Sequence, residues 1–213
     1  MNATILRYHY RGHLTSDNPE NFQRKIEETK SNIAKCIAEG RIMTACIYRY
    51  ENMLFAYYES IGEEIKPENL FASLSDCLAK WPGQACERDW VFMHHIYYHA
   101  LPQGQEDWKR KTKPELQRGR IAFLKPDKIF QYVYHHVAIT TEGLLHGDKY
   151  QSIALHENIL FSYFEEPKTE INIKRDLSKD STVIKEWLDV NPEDHFIRVE
   201  KFNFTFIPAI ITM

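Results

Sequence analysis

The chain has 213 residues, of which 43% are hydrophobic, 27 are basic and 30 are acidic. This length suffices for one large domain or two small ones, and the composition excludes disordered, collagenous and low-complexity chains. The near balance of charge argues against nucleic acid and against an anionic membrane surface as partners.

The first half of the chain predicts the element order β-α-β-β-α-β from its apolar spacing and turn residues. A helix begins near Pro19, which Asp17 or Asn18 can cap, and ends at Gly40. The other elements are a strand over residues 4–14, hairpin strands over 44–50 and 53–59, a helix with leucines at 70, 74 and 78 that ends at Trp81, and a strand over 90–100.

The second half predicts the same order, and part of it repeats the first half. Residues 51–59, ENMLFAYYE, return as residues 157–165, ENILFSYFE, with six of nine identical. Trp81 and Trp187 have the same offset, because 157 − 51 and 187 − 81 both equal 106. The elements are a strand over 120–124, a helix after Pro126, a hairpin around Glu157 and Asn158, a helix that ends near Trp187, and a strand over 196–206.

This element order is typical of the ferredoxin-like fold, in which two helices cover one face of an antiparallel sheet. We therefore predict an α+β protein with two tandem ferredoxin-like domains, residues 1–102 and 118–213. Their antiparallel sheets are expected to face each other and form an intramolecular dimeric α+β barrel. Residues 103–117 are polar and basic, and we interpret them as a solvated linker rather than as a nucleic-acid site.

The sequence also limits the location and the cofactors of the protein. No apolar run approaches the ~20 residues of a membrane span, and the N-terminus lacks the layout of a signal peptide, so we expect a cytoplasmic protein with no membrane partner. The four cysteines form no Cys-x-x-Cys pair and are expected to be reduced and mostly buried. We expect no metal and no cofactor.

The first helix of the second half carries a candidate acid/base group. Tyr132 and His136 are four residues apart, so their rings lie on one face of the helix, and Tyr150 follows at the start of the next strand. Imidazole exchanges protons near neutral pH, and two phenols can orient a hydroxyl-rich ligand. The spacing therefore indicates either an acid/base pocket for a sugar or a pair on the helix surface without a function.

A family resemblance supports the first alternative. Arg120-Ile121-Ala122-Phe123, Tyr132, His136, Tyr150 and Asn158-Ile159-Leu160-Phe161 occur in an order that resembles the L-rhamnose mutarotases. This resemblance covers most of residues 118–206 and implies a ferredoxin-like protein that interconverts the α and β anomers of a small aldose such as a 6-deoxyhexose. It also implies a small-molecule sugar as partner and assembly as a homodimer.

The resemblance implies roles for six residues of the second half. His136 would be the proton shuttle, and Tyr132 and Tyr150 would complete the catalytic group. The sugar would be held by Trp187, Phe202 and Phe204. The first half lacks this group, because an offset of 106 replaces His136 by Lys30.

The first half has a histidine-rich strand of its own, Met93-His94-His95-Ile96-Tyr97-Tyr98-His99. Strand alternation places His95, Tyr97 and His99 on one face. His95 and His99 would be about 13 Å apart, too far to share one metal ion, so we interpret the run as aromatic lining of a cavity. Two other functions stay open: a non-catalytic sugar- or metabolite-binding module, and a haem- or oxygen-handling enzyme with His94, His95 or His99 as ligand.

Overall fold

In the computed structural model, the described residues are 3–15, 19–83 and 85–213. The five α-helices among them are α1 (Pro19–Ala38), α2 (Pro67–Leu70), α3 (Gln105–Trp108), α4 (Ile129–Glu142) and α5 (Thr182–Asp189). The strands are β1 (Ile5–His13), β2 (Ile42–Tyr50), β3 (Met53–Ile61), β4 (Val91–Phe92), β5 (His94–Tyr98), β6 (Leu116–Leu124), β7 (Leu145–His146), β8 (Ser152–His156), β9 (Ile159–Glu166), β10 (Lys174–Arg175), β11 (Phe196–Ile197), β12 (Thr205–Ile207) and β13 (Ala209–Thr212). Short 3-10 helices cover Ala72–Cys77, Pro126–Lys128 and Pro192–His195.

The chain divides into two compact units. Unit 1 comprises residues 1–93, 102–112 and 208–213, and unit 2 comprises residues 94–101 and 113–207. These boundaries differ from the sequence-based ones because β5 and β13 each pair with strands of the other half of the sequence.

Unit 1 is a five-stranded antiparallel sheet in the order β13-β2-β3-β1-β4. Helix α1 packs beside the 3-10 turn over Ala72–Cys77. The core includes Ile33, Tyr58 and Trp90, each at most 1% exposed. Apolar side chains spaced three and four residues apart on α1 produce this burial.

Unit 2 has a sheet in the order β11-β6-β9-β8-β5, in which β12 also pairs with β6. Helices α4 and α5 contact each other, and α4 also contacts β5. Ala122, Leu160 and Tyr132 lie in the core of this unit. The mixed α+β class with antiparallel sheets is therefore confirmed for the described residues.

Both hairpins of the repeat have the same backbone. Glu51 and Glu157 adopt left-handed φ angles of 53° and 55° at the two turns. Each turn then meets the end of the first strand, because Leu14 N donates to Asn52 O at 2.7 Å and Leu124 N donates to Asn158 O at 2.8 Å. The sequence match at these turns therefore corresponds to a match in structure.

A tyrosine–glutamate hydrogen bond also recurs. Tyr57 donates to Glu59 at 2.5 Å in β3, and Tyr163 donates to Glu165 at 2.7 Å in β9. A neighbouring strand, β1 in unit 1 and β6 in unit 2, supplies a donor to the tyrosine hydroxyl. Arg7 Nε and Gln117 Nε2 are each 3.0 Å from it.

Glu59 binds the segment that the sequence places in a solvated linker. Its carboxylate is fully buried and accepts hydrogen bonds from Trp108 Nε1 at 2.9 Å and from both terminal nitrogens of Arg110. Burial would raise the pKa of Glu59, but Arg110 and Arg7 outweigh it and hold the pKa below its usual range. The expected solvation is therefore wrong for Trp108 and Arg110.

Three predicted elements differ from the structure because tertiary contacts override local pattern. The helix expected to end at Trp81 is only α2 and a 3-10 turn, since Leu78 is extended and bridges to Leu14. The strand expected over 90–100 is interrupted between β4 and β5, and the one over 196–206 is reduced to β11 and β12. The predicted caps Asp17 and Asn18 lie outside the described residues.

Within the described part of the chain, no helix is long and apolar enough to cross a membrane. Three cysteines are buried, as expected, and all four are free thiols, with Cys86 exposed.

We predict that Glu59→Gln lowers the free energy of unfolding by about 3 kcal/mol, because it leaves the Arg110 guanidinium without its carboxylate in a buried site. Urea denaturation measures this change. Glu28→Gln is the control, since Glu28 pairs with Arg24 at the surface and should change stability by no more than about 0.5 kcal/mol. Equal effects of the two substitutions would contradict the role of Glu59.

Candidate functional site

Unit 2 contains a cavity of about 190 Å³. Its walls come from the end of β5 and the residues after it, from the last turns of α4, and from β7. The lining residues are Tyr97, Tyr98, His99, Ala100, Leu101, Ile139, Thr140, Gly143, Leu145 and His146. Most of the wall is apolar or aromatic, which is typical of a small-molecule site.

His99 is the main polar group of this cavity. Neither of its buried ring nitrogens has a hydrogen-bond partner of good geometry among the described residues. Burial lowers the pKa of His99, against the opposing effects of the Leu145 backbone and the Asp148 carboxylate, while Lys168 and His146 lower it further. The imidazole is therefore neutral at pH 7 and has a lone pair for a ligand.

The His99 ring packs against Gly147, where a residue with a side chain would leave no room for it. A Cβ atom at position 147 would be 2.6 Å from His99 Nε2, closer than non-bonded atoms approach. Thr140 supplies a second polar atom without a partner, because its Oγ1 is also buried without a hydrogen bond in the described part of the chain. A buried polar atom without a partner is costly unless a ligand satisfies it.

Tyr97 joins the cavity to a group of rings beneath α4. Its ring centroid is 5.0 Å from that of His99 and 5.5 Å from that of His136. We call this group the Trp187 cluster, since its histidine rings lie 4.8–5.5 Å from the Trp187 ring. Its members are Tyr132, His135, His136, Trp187 and His195.

His136 is enclosed within the Trp187 cluster. Its ring stacks on Tyr132 with centroids 3.8 Å apart, and its Nδ1 is 2.9 Å from the Tyr132 carbonyl oxygen. A carbonyl only accepts, so Nδ1 carries the proton of the neutral ring. Burial lowers the pKa of His136 to about 4, with His195 and His135 adding to the effect against the Tyr132 carbonyl.

The structure brings together three of the six predicted site residues, Tyr132, His136 and Trp187. Tyr150 is buried two residues before β8 begins. Phe202 is 63% exposed, and Phe204 contacts Phe196 and Arg120 instead.

Sequence reasoning missed His135 and His195 as ring neighbours, and it missed the fit of Gly147 against His99. His135 is adjacent to His136 in the sequence, but helical spacing alone gave no reason to choose it. His195 lies outside any periodic segment, in a 3-10 turn. His99 was noticed within its histidine-rich run, but its cavity depends on α4 and β7 and could not be predicted locally.

No protein-family model matches this chain, and no curated protein matches it. The chain is similar in structure to a "putative monooxygenase" from Lactobacillus acidophilus NCFM, with 7% identity and a TM-score of 0.45 over 98% of this chain and 95% of that one. A "putative monooxygenase" from Fusobacterium nucleatum subsp. nucleatum ATCC 25586 gives 10% identity and a TM-score of 0.40 over 100% and 95%. An "anthrone oxidase-like protein" gives 10% identity and a TM-score of 0.35 over 98% and 95%.

The isomerase, mutarotase and carbohydrate prediction is wrong. The similar structures are described as monooxygenase and oxidase-like proteins. The site itself gives the physical reason, because a histidine with a pKa of about 4 that is packed between rings is a poor proton shuttle at neutral pH. Tyr132, His136, Tyr150 and Trp187 do not line the cavity.

The histidines do not fit a haem group. The cavity at His99 is smaller than the ~300 Å³ at the lower end of sites for drug-sized ligands, and a haem is larger still. His94 is exposed, and a β-bulge after His95 breaks the strand alternation expected for the run. Within residues 3–15, 19–83 and 85–213, no group of three or more His, Cys, Asp or Glu side chains could hold a metal ion.

We predict that stability falls in acid because of His136. Its folded pKa of about 4 lies below the ordinary 6.5, so the unfolded chain binds the proton more tightly. The contribution of His136 to the free energy of unfolding is fully present above pH 6.5. It decreases by about 3 kcal/mol as the pH falls to about 4. Urea denaturation across this range measures the slope. His136→Leu should reduce the slope, and part of it should remain because burial also lowers the pKa of His99. An unchanged slope in His136→Leu would contradict the prediction.

We predict that Gly147→Ala destabilises unit 2 by about 1–3 kcal/mol, because the new methyl group overlaps the His99 ring. Removing that ring should relieve the overlap. Thermal unfolding of Gly147→Ala, His99→Ala and the double variant tests this as a cycle. Additive effects of the two substitutions would show that Gly147 does not accommodate His99.

Proposed function

We propose that this chain is an oxygenase-type α+β barrel enzyme that binds a small, mostly apolar molecule in the unit 2 cavity. The observation that carries the proposal is His99, a neutral imidazole at the cavity wall whose buried ring nitrogens have no hydrogen-bond partner of good geometry among the described residues. An imidazole in this state accepts a proton from a bound molecule, which makes His99 the candidate general base.

The apolar walls of the cavity favour the reaction of the deprotonated molecule with oxygen. Removal of a proton from an acidic CH₂ group in the bound molecule leaves an electron-rich carbanion, which reacts with molecular oxygen. The overall change is R₂CH₂ + O₂ → R₂C=O + H₂O, so the substrate supplies all four electrons and one oxygen atom enters the product.

The remaining polar groups would orient the molecule. Thr140 Oγ1 offers a hydroxyl that both donates and accepts, and the Tyr97 ring supplies a flat wall beside His99. Burial raises the pKa of Tyr97 to about 12, so its phenol stays protonated and does not compete with His99 as the base.

We also propose that the two units are tandem ferredoxin-like repeats. Both have the order fourth strand, first, third, second, with β4-β1-β3-β2 in unit 1 and β11-β6-β9-β8 in unit 2. The recurring hairpin and tyrosine–glutamate bond support a common origin. The pairing of the two sheets as a barrel stays a prediction.

We predict that the protein accelerates oxygen uptake with 2-tetralone, a two-ring ketone with an acidic CH₂ group, and does not with tetralin, which lacks the carbonyl. An oxygen electrode measures the rate, and mass spectrometry under ¹⁸O₂ should find one heavy atom in the product. The rate should be constant above pH 6.5 and fall in more acidic solution as His99 becomes protonated.

His99→Gln should lower kcat by about 100-fold or more, because glutamine cannot take the proton. His95→Gln is the matched control, since His95 does not line the cavity, and it should keep full activity. The proposed enzymatic function would be overturned if oxygen uptake were no faster than in buffer. It would also be overturned if His99→Gln consumed oxygen as fast as the unmodified protein. Thermal stabilisation by 2-tetralone without any turnover would instead identify a binding module.

A further inference from the structure

Unit 2 contains a partly buried arginine that has no anionic partner among the described residues. Arg120 lies on β6, and its Nε is enclosed without a hydrogen bond. No carboxylate pairs with it among the described residues. Its guanidinium instead contacts aromatic rings, with Cζ 4.6 Å from the Phe204 centroid and 5.3 Å from that of Phe164. Cation–π contact offsets only part of the cost of burying a guanidinium.

Ser162 provides a second unpartnered group beside Arg120. The two residues are directly opposite in the β6–β9 register, so their side chains are on one face of the sheet. Ser162 is fully buried, and its Oγ has no hydrogen-bond partner in the described part of the chain. The same face carries Ala122 of the core beneath α4, and Arg120 also interacts electrostatically with Tyr132.

Unit 1 shows that the fold needs no cation at this position. The residues that match Arg120, Ser162 and Phe206 by register in unit 1 are Tyr10, Ala56 and Phe92. Tyr10 there contacts Phe92 and stacks with Tyr58, with ring centroids 5.5 and 6.0 Å away, so the position is filled by rings. Unit 2 replaces a tyrosine and an alanine by an arginine and a serine.

A second cation lies beside the same ring. Lys168 Nζ is 4.7 Å from the Phe164 centroid, and no carboxylate pairs with it within the described ranges. Arg118 is nearby on β6, over Phe206, but it already bonds to Glu166 at 3.0 Å. Positive charge is thus concentrated around Phe164 in a chain whose formal net charge is −3.

We propose that Arg120, Ser162 and Lys168 form a binding site for a carboxylate attached to an apolar body. The guanidinium and the serine hydroxyl would donate to the carboxylate oxygens, and Lys168 would add positive charge. Phe164 and Phe204 would contact the apolar body of the ligand. The cavity at His99 is lined by none of these three residues, although the charge of Lys168 reaches the His99 ring.

A planar carboxylate suits this site better than a phosphate does. Arginine presents paired N–H donors that match two carboxylate oxygens, and the aromatic surroundings favour an apolar substituent over further hydration. Benzoate is therefore the probe, and benzamide, which has nearly the same shape without the charge, is its matched control.

Titration calorimetry with the full chain tests the proposal. Benzoate should bind saturably and benzamide should not. Arg120→Gln should weaken benzoate binding tenfold or more, and Ser162→Ala should weaken it several-fold. Arg198→Gln should leave it unchanged, because Arg198 is an exposed side chain that pairs with Glu193.

The thermal stability of an Arg120 variant distinguishes a ligand-binding role of Arg120 from a structural role. Arg120→Met should keep or raise Tm without ligand, because it removes an unpaired buried charge. A Tm lowered by several degrees would mean that Arg120 supports the fold, and the proposal would fail. If Arg120 variants do not fold at all, unchanged benzoate affinity in Ser162→Ala overturns it.

Two further outcomes would contradict the proposal. Inorganic phosphate that competes as well as benzoate would indicate a site for charge alone. Loss of benzoate binding in His99→Gln, with full binding in Arg120→Gln, would place benzoate in the cavity. Benzoate binding that survives His99→Gln and needs Arg120 supports the site whether or not the chain consumes oxygen.

Discussion

The cost of burying a polar group without a partner explains more of this protein than any other constraint. Where the fold supplies partners, the group stabilises structure, as Glu59 does by accepting hydrogen bonds from Tyr57, Trp108 and Arg110. Where the fold supplies none, we propose for two groups that a ligand supplies the missing partner. His99 and Arg120 are the clearest cases, and both belong to unit 2.

The two units share some structural features and differ in others. Both units have a glutamate with a left-handed φ angle at the hairpin turn. Both also have a tyrosine that donates a hydrogen bond to a glutamate two residues later. These features satisfy backbone and side-chain groups locally, so either copy needs them to fold. The positions facing the helices differ, and there unit 2 carries polar groups where unit 1 stacks rings.

Sequence patterns predicted the elements that depend on local or periodic signals. Helix α1, both hairpins and the pairing of Tyr132 with His136 follow from apolar spacing, turn residues and repeated motifs, and the family resemblance added Trp187 to that pair. The patterns could not predict that Trp108 and Arg110 would be buried by Glu59, because that contact joins residues about 50 apart in the chain. The cavity at His99 could not be predicted either, because three segments that are separate in the sequence form it.

The exchanged edge strands make the halves of this sequence inseparable. Residues 94–98 complete the sheet of unit 2, and residues 209–212 complete the sheet of unit 1. A fragment cut between the repeats would therefore expose unpaired strand edges in both pieces, and the downstream piece would lose His99. If either proposed repeat stood alone, it would have to obtain its missing strand from a second molecule.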